Sequence, residues 1–217
     1  MPFSPLHLLA FLLLLALLVV LIQVGLVAAA FEKLGLSAGQ GLVLLAASLL
    51  GSTVNLPLFK VKSETPPQPL PPLFRGPLFP PLEPGYTIVA VNVGGCLIPL
   101  AFSLSLIVRS QAGLLESLVA VAVVAAVSHR FARPIPGLGI AMPLLLPPLT
   151  AAVTALLIDS DHSAPLAYVG GTLGVLIGAD LLHLKAVRRL GAPLASIGGA
   201  GTFDGIFLTG IVAVLLA

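Results

Sequence analysis

Apolar residues gather into seven stretches, each close to the roughly 20 residues that one membrane crossing requires. They lie near 8–31, 36–56, 86–108, 113–128, 138–158, 164–184 and 197–217, and the polar residues collect mainly between them. The pattern predicts an all-α fold: a polytopic transmembrane bundle of about seven helices forming one domain over residues 1–217. The fourth stretch is the shortest and its helix the least well marked. In the first, Leu8 to Phe31, Gln23 is the one polar side chain, and no Lys or Arg precedes it. That run exceeds the roughly 7 to 15 residues of a secretory core, so it reads as a retained helix rather than a signal peptide. Between the second and third stretches, Lys60 to Gly85 carries nine prolines. So dense a run favours extended polyproline geometry and predicts a surface loop or connector at 60–85.

Composition agrees with the pattern. The chain is 58% hydrophobic and 8% charged, with a mean hydropathy of +1.16, too little polar surface to cover a soluble domain. The lipid bilayer is therefore the expected partner. No basic patch interleaved with aromatics occurs, so nucleic acid is not expected. The single cysteine, Cys96, excludes an internal disulfide and, among apolar neighbours, reads as a packing residue.

Charge adds a direction. With seven spans, the N-terminus, the proline-rich loop, the His129–Pro136 loop and the Lys185–Pro193 loop share one side and hold eight of the ten cations. The other side has Lys33 and Arg109, together with Asp159, Asp161 and His162. The excess of positive charge predicts a prokaryotic inner-membrane protein with a cytoplasmic N-terminus and an extracytoplasmic C-terminus.

Two carboxylates break the pattern by lying inside apolar stretches: Asp180 in the sixth and Asp204 in the seventh. Ionisable groups at such positions are expensive and point to function. Gly170, Gly174 and Gly178 recur every fourth residue and predict a groove for close helix packing. At about 100° per residue, Asp180, His183 and Thr172 fall on a different side of that helix. Gly201 and Gly205 flank Asp204 and open the main chain around it to close approach. Two adjacent carboxyl groups share a proton and can activate a water against a carbonyl. The same residues also have simpler readings. Asp204 can accept backbone N–H groups at a helix start, and Asp180 can pair with His183, Lys185 or Arg189.

The stretch from Tyr168 to His183, with Ser196-Ile-Gly-Gly-Ala-Gly-Thr-Phe-Asp-Gly-Ile-Phe-Leu-Thr-Gly210, resembles the signature of an uncharacterised family of prokaryotic membrane proteins. More remotely, the layout resembles the Gly-x-Gly-Asp intramembrane aspartyl proteases, the group of presenilin and signal peptide peptidase. That resemblance implies catalytic aspartates at Asp180 and Asp204 and a membrane-protein substrate. The chain departs from the group's pattern at Phe203, at Ala179 and in having no later Pro-Ala-Leu helix.

A rival chemistry uses Asp180 and His183, spaced i, i+3, with Asp204 as a third ligand for zinc, or the carboxylates as a relay for protons or cations in a transporter. A structural scaffold is the third class. His129 lies in a basic loop on the same side, and Asn92 is the other polar group expected inside a span, where a helix-to-helix hydrogen bond would satisfy it.

Overall fold

The computed structural model of the chain describes residues 24–65, 85–109, 113–136, 139–199 and 205–217. Most of the first apolar stretch, the prolines at 66–84, Gly201 and Asp204 lie outside the described residues.

Helix α1 (Val24–Lys33) stops at Gly35, whose φ of 72° admits glycine readily. Leu36 N–H reaches Phe31 O and Gly35 N–H reaches Glu32 O, the paired bonds of a Schellman stop. Ser37 and Gln40 then form a capping box that starts α2 (Ala38–Gly51), and the chain turns by 110° between the two helices. At 14 residues and about 1.5 Å each, α2 spans roughly 21 Å, short of a bilayer core.

The all-α expectation fails next. Strand β1 (Asn55–Lys62) pairs antiparallel with β2 (Tyr86–Asn92), which pairs parallel with β5 (Leu194–Ile197), giving the order β1-β2-β5. The third stretch thus opens as a strand. Its run Tyr86-Thr-Ile-Val-Ala-Val is aromatic and β-branched, and apolarity alone does not separate a buried strand from a helix. Pro57 sits in β1 at a register shift, where its missing N–H is tolerated. A second, two-stranded sheet joins β3 (Arg133–Ile135) to β4 (Gly139–Ala141).

A π-helical turn, Val93–Leu97, leads from β2 into α3 (Ile98–Arg109). Helix α4 (Leu114–Phe131) carries Glu116 in its first turn and His129 and Arg130 in its last, matching charge to the helix dipole. The fourth stretch is therefore a full 18-residue span candidate, and His129 belongs to a helix rather than a loop. Helix α5 (Leu146–Ile158) starts on Pro147 and Pro148, where no N–H is missed.

Helix α6 (Ser163–Val175) continues through a π-helical turn, Leu176–Asp180, and a 3-10 segment, Leu181–Arg189. Helix α7 (Gly205–Leu216) closes the described chain. Among the described residues two helices, Leu114–Phe131 and Ser163–Arg189, are long and apolar enough to cross a membrane, or three spans if the bent pair α1–α2 counts as one. Leu118, Val119 and Val123 of α4, and Leu149, Val153 and Leu157 of α5, face outward exposed. So much outward apolar surface fits a membrane protein.

Helix α6 is central, packed by α3, α4, α5 and α7. The predicted groove forms against α4. A Cβ added at Gly170 would lie 3.1 Å from that of Ala120, one at Gly174 2.5 Å from that of Val124, and one at Gly178 would strike the Ala125 carbonyl. Gly171 and Thr172 face α7, where Gly210 leaves room for the Thr172 hydroxyl and the Tyr168 ring.

Charged residues stand at both ends of the helical run that begins with α6. Lys33, Arg109, Asp161 and His162 line a cavity near its start. Arg188 and Arg189 lie at the end of the long helical run, where Glu64 N–H and the Thr65 hydroxyl bind their carbonyls.

Asp159, just before α6, accepts His162 Nδ1 at 2.9 Å and the N–H groups of Asp161 and His162. The His162 hydrogen bond holds its carboxyl below the ordinary value of 3.8. A depressed folded pKa means that the stabilisation is present above the unfolded value and lost as pH falls through the folded one. The protection factors of the Asp161 and His162 amides, relative to their intrinsic exchange rates at each pH, are therefore expected to fall below about pH 4, the ordinary carboxylate range. An Asp159→Asn variant that showed the same acid step would contradict this assignment.

Candidate functional site

Asp180 stands where the π-helical turn gives way to the 3-10 segment, so its carboxylate leaves a helix that has departed from α geometry on both sides. It is half-buried, and its Oδ2 accepts the N–H of Gly198 at 2.8 Å. Gly198 and Gly199 follow β5 with φ of 83° and 88°, a left-handed pair that turns the chain away from the sheet. Gly198 also presses on the π-helical turn after β2. A Cβ there would lie 2.7 Å from both the Cβ and the N of Cys96. Cys96 is buried, which fits the packing role expected for it.

Beside this contact lies a polar network inside the protein. Asn92, 1% exposed, donates Nδ2 to Ser52 O at 2.7 Å and to Asn55 Oδ1 at 3.1 Å, and accepts Gly95 N–H at 2.7 Å. Ser196 Oγ donates to the same Asn55 Oδ1, and Ser48 Oγ donates to Gly94 O at 2.6 Å. Asn92 thus serves as the last residue of β2 and the N-cap of the following helix, not as a mid-helix contact between spans. This correction follows from the strand. Its side chain meets the backbone where α2, the sheet and the π-helical turn converge.

His183 lies on the same helical run, and its Nδ1 is 3.1 Å from Gly178 O. Its ring is 4.6 Å, centroid to centroid, from that of His129 on α4. The two histidines therefore form a pair, one that the sequence suggested only as an addition to the Asp180 set. No group of three or more His, Cys, Asp or Glu side chains among the described residues is placed to share a metal ion. Asp204, the third member of the expected ligand set, and Gly201 fall outside the described residues, whereas Gly205 is the first residue of α7. Asn55, Ser196 and Gly198 were not singled out from sequence; the Gly198-Gly199 pair after β5 was the available signal.

Residues 49–216 match the family described as "Protein of unknown function (DUF1614)". The chain belongs to DUF1614. The match covers α3 to α7 and all of the sheet, so Asp180, Gly198, Asn92 and the histidine pair lie inside the DUF1614 region. No curated protein and no solved structure matches this DUF1614 chain, and members of the presenilin and signal peptide peptidase group are accordingly absent from both comparisons.

Proposed function

We propose that this DUF1614 chain is a membrane-embedded hydrolase of the aspartyl type, with Asp180 and Asp204 as the acid–base pair. One observation carries the reading: the Gly198 N–H bond to Asp180 ties the segment leading to Asp204 onto the helix that bears the first aspartate. Asp204 is six positions on from Gly198, a reach of at most about 22 Å from that anchor. In the reaction, one carboxylate takes a proton from water as its oxygen attacks a substrate carbonyl, and the protonated partner donates to the departing amine. The substrate is a membrane protein, and the clustering of cations beyond Asp180 supports a cytoplasmic position for this end of the bundle.

A second reading rests on the helix itself. The π-helical and 3-10 breaks around Asp180 are of the kind that expose carbonyls and carboxylates to cations in transporters, and His183 stands one turn on. Reporter-helix cleavage in liposomes separates the two readings. As a hydrolase, Asp180→Asn and Asp204→Asn should each lower cleavage by about a hundredfold or more, the scale of a lost acid or base. Cleavage that survives either change rejects the pair. Cation flux lost in both variants, with no cleavage by the wild type, selects the transport reading.

A further inference from the structure

A cavity of about 360 Å³ opens near the start of α6, at the other end of that helix from Asp180. Its walls are of two kinds. Leu34, Phe102 and Leu106 supply apolar surface, whereas Lys33, Arg109 and Asp161 bring charges of both signs. Among the described residues no ion pair links these three charges. Asp159 is turned to His162, which leaves Asp161 as the carboxylate of this cavity outside that pair.

Lys33 is held in position, its Nζ 3.3 Å from Val214 O near the end of α7. Arg109 ends α3, so the two cations come from separate helices and converge on one volume. A purely anionic ligand would meet Asp161, and a purely cationic one would meet Lys33 and Arg109. A headgroup carrying a phosphate and an ammonium satisfies all three, and the apolar wall suits the first carbons of an attached lipid.

We infer that this cavity is a binding site for a zwitterionic phosphoethanolamine headgroup, with Lys33 and Arg109 taking the phosphate and Asp161 the ammonium. The site is independent of the Asp180 chemistry. It has two potential sources, membrane phosphatidylethanolamine and the free phosphoester, with the same recognition chemistry.

Native mass spectrometry of the full chain, released from nanodiscs holding equal amounts of phosphatidylethanolamine, phosphatidylglycerol and phosphatidylcholine, tests it. The wild type should retain phosphatidylethanolamine in preference to the other two. Each exposed charge pair is worth about threefold in retention, so Lys33→Gln with Arg109→Gln should erase the preference. Asp161→Asn should shift it toward phosphatidylglycerol, and Arg109→Lys should restore most of it. Thermal unfolding in the same nanodiscs confirms that the variants are folded. Displacement of the lipid by soluble phosphoethanolamine supports the headgroup site and identifies the free phosphoester as sufficient; no displacement, with lipid retention intact, identifies the lipid. Equal retention of all three lipids by the wild type, or a preference unchanged in the double variant, overturns the assignment.

Discussion

Gly198→Ala is expected to destabilise the protein by about 2 to 5 kcal/mol, combining the strain of a left-handed L-residue with overpacking. Two separate effects meet at this one position. The φ of 83° is open to glycine and unfavourable to alanine, and the added methyl would lie 2.7 Å from the Cβ and N of Cys96. The backbone nitrogen of Cys96 belongs to the π-helical turn and cannot swing aside as a side-chain tip would. Two other glycines isolate the components. Gly35 has φ of 72° with nothing within 4 Å, so Gly35→Ala should show the backbone strain alone, about 1 to 2 kcal/mol. Gly174 needs no special φ, but its added methyl would sit 2.5 Å from Val124 Cβ, so Gly174→Ala should show overpacking alone, about 1 to 3 kcal/mol. Unfolding in mixed micelles measures all three. A Gly198→Ala loss no larger than that of Gly35→Ala would mean that the close contact with Cys96 carries no weight. Because the Gly198 N–H binds Asp180, the same variant should disturb the candidate site, whereas the other two should leave it intact.

These glycines also show what a sequence discloses and what it hides. The Gly170, Gly174 and Gly178 row was legible because a period of four on an apolar helix maps to one face whatever the partner, and α4 fills that face with Ala120, Val124 and Ala125. The sheet was not legible. Residues 86–92 are as apolar as a membrane helix, and what makes them a strand is pairing with residues 55–62 and 194–197, which are remote in sequence. Helix α4 was read too short because His129, Arg130 and Phe131 look like the start of a loop, although the cations suit a helix C-terminus. Asp180 stood out as a carboxylate in apolar sequence. Its partner did not, because Gly198 contributes a backbone N–H, and every residue except proline has one. The unwinding around Asp180 was equally silent: the run Leu176 to Arg189 contains no proline, and Gly178 is the one weak helix former of note.

Asn92→Asp is expected to cost at least as much as Asn92→Ala, although aspartate is nearly the same size. Asn92 acts in both directions: its Nδ2 donates to Ser52 O and Asn55 Oδ1, and its Oδ1 accepts from Gly95. Alanine removes all three bonds and leaves Ser52 O and Gly95 N–H without this partner in a site only 1% exposed at Asn92, a loss of about 2 to 6 kcal/mol at 1 to 3 kcal/mol per buried polar group. Aspartate keeps the bond from Gly95 but sets a carboxylate oxygen against two acceptors, so an attraction becomes a repulsion in a setting with little water to screen it. Ser196→Ala touches the same network at its edge, where the hydroxyl donates to Asn55, and should lose only about 0.5 to 1.5 kcal/mol. Mixed-micelle unfolding of the three variants gives the ranking. Asn92→Asp milder than Asn92→Ala would mean that the donated bonds to Ser52 and Asn55 contribute little and that the N-cap to Gly95 is the dominant interaction. The predicted ranking instead makes Asn92 the strut between α2, the sheet and the π-helical turn. That turn carries Cys96, against which Gly198 rests while its N–H binds Asp180, so loosening Asn92 should be transmitted to the carboxylate two contacts away.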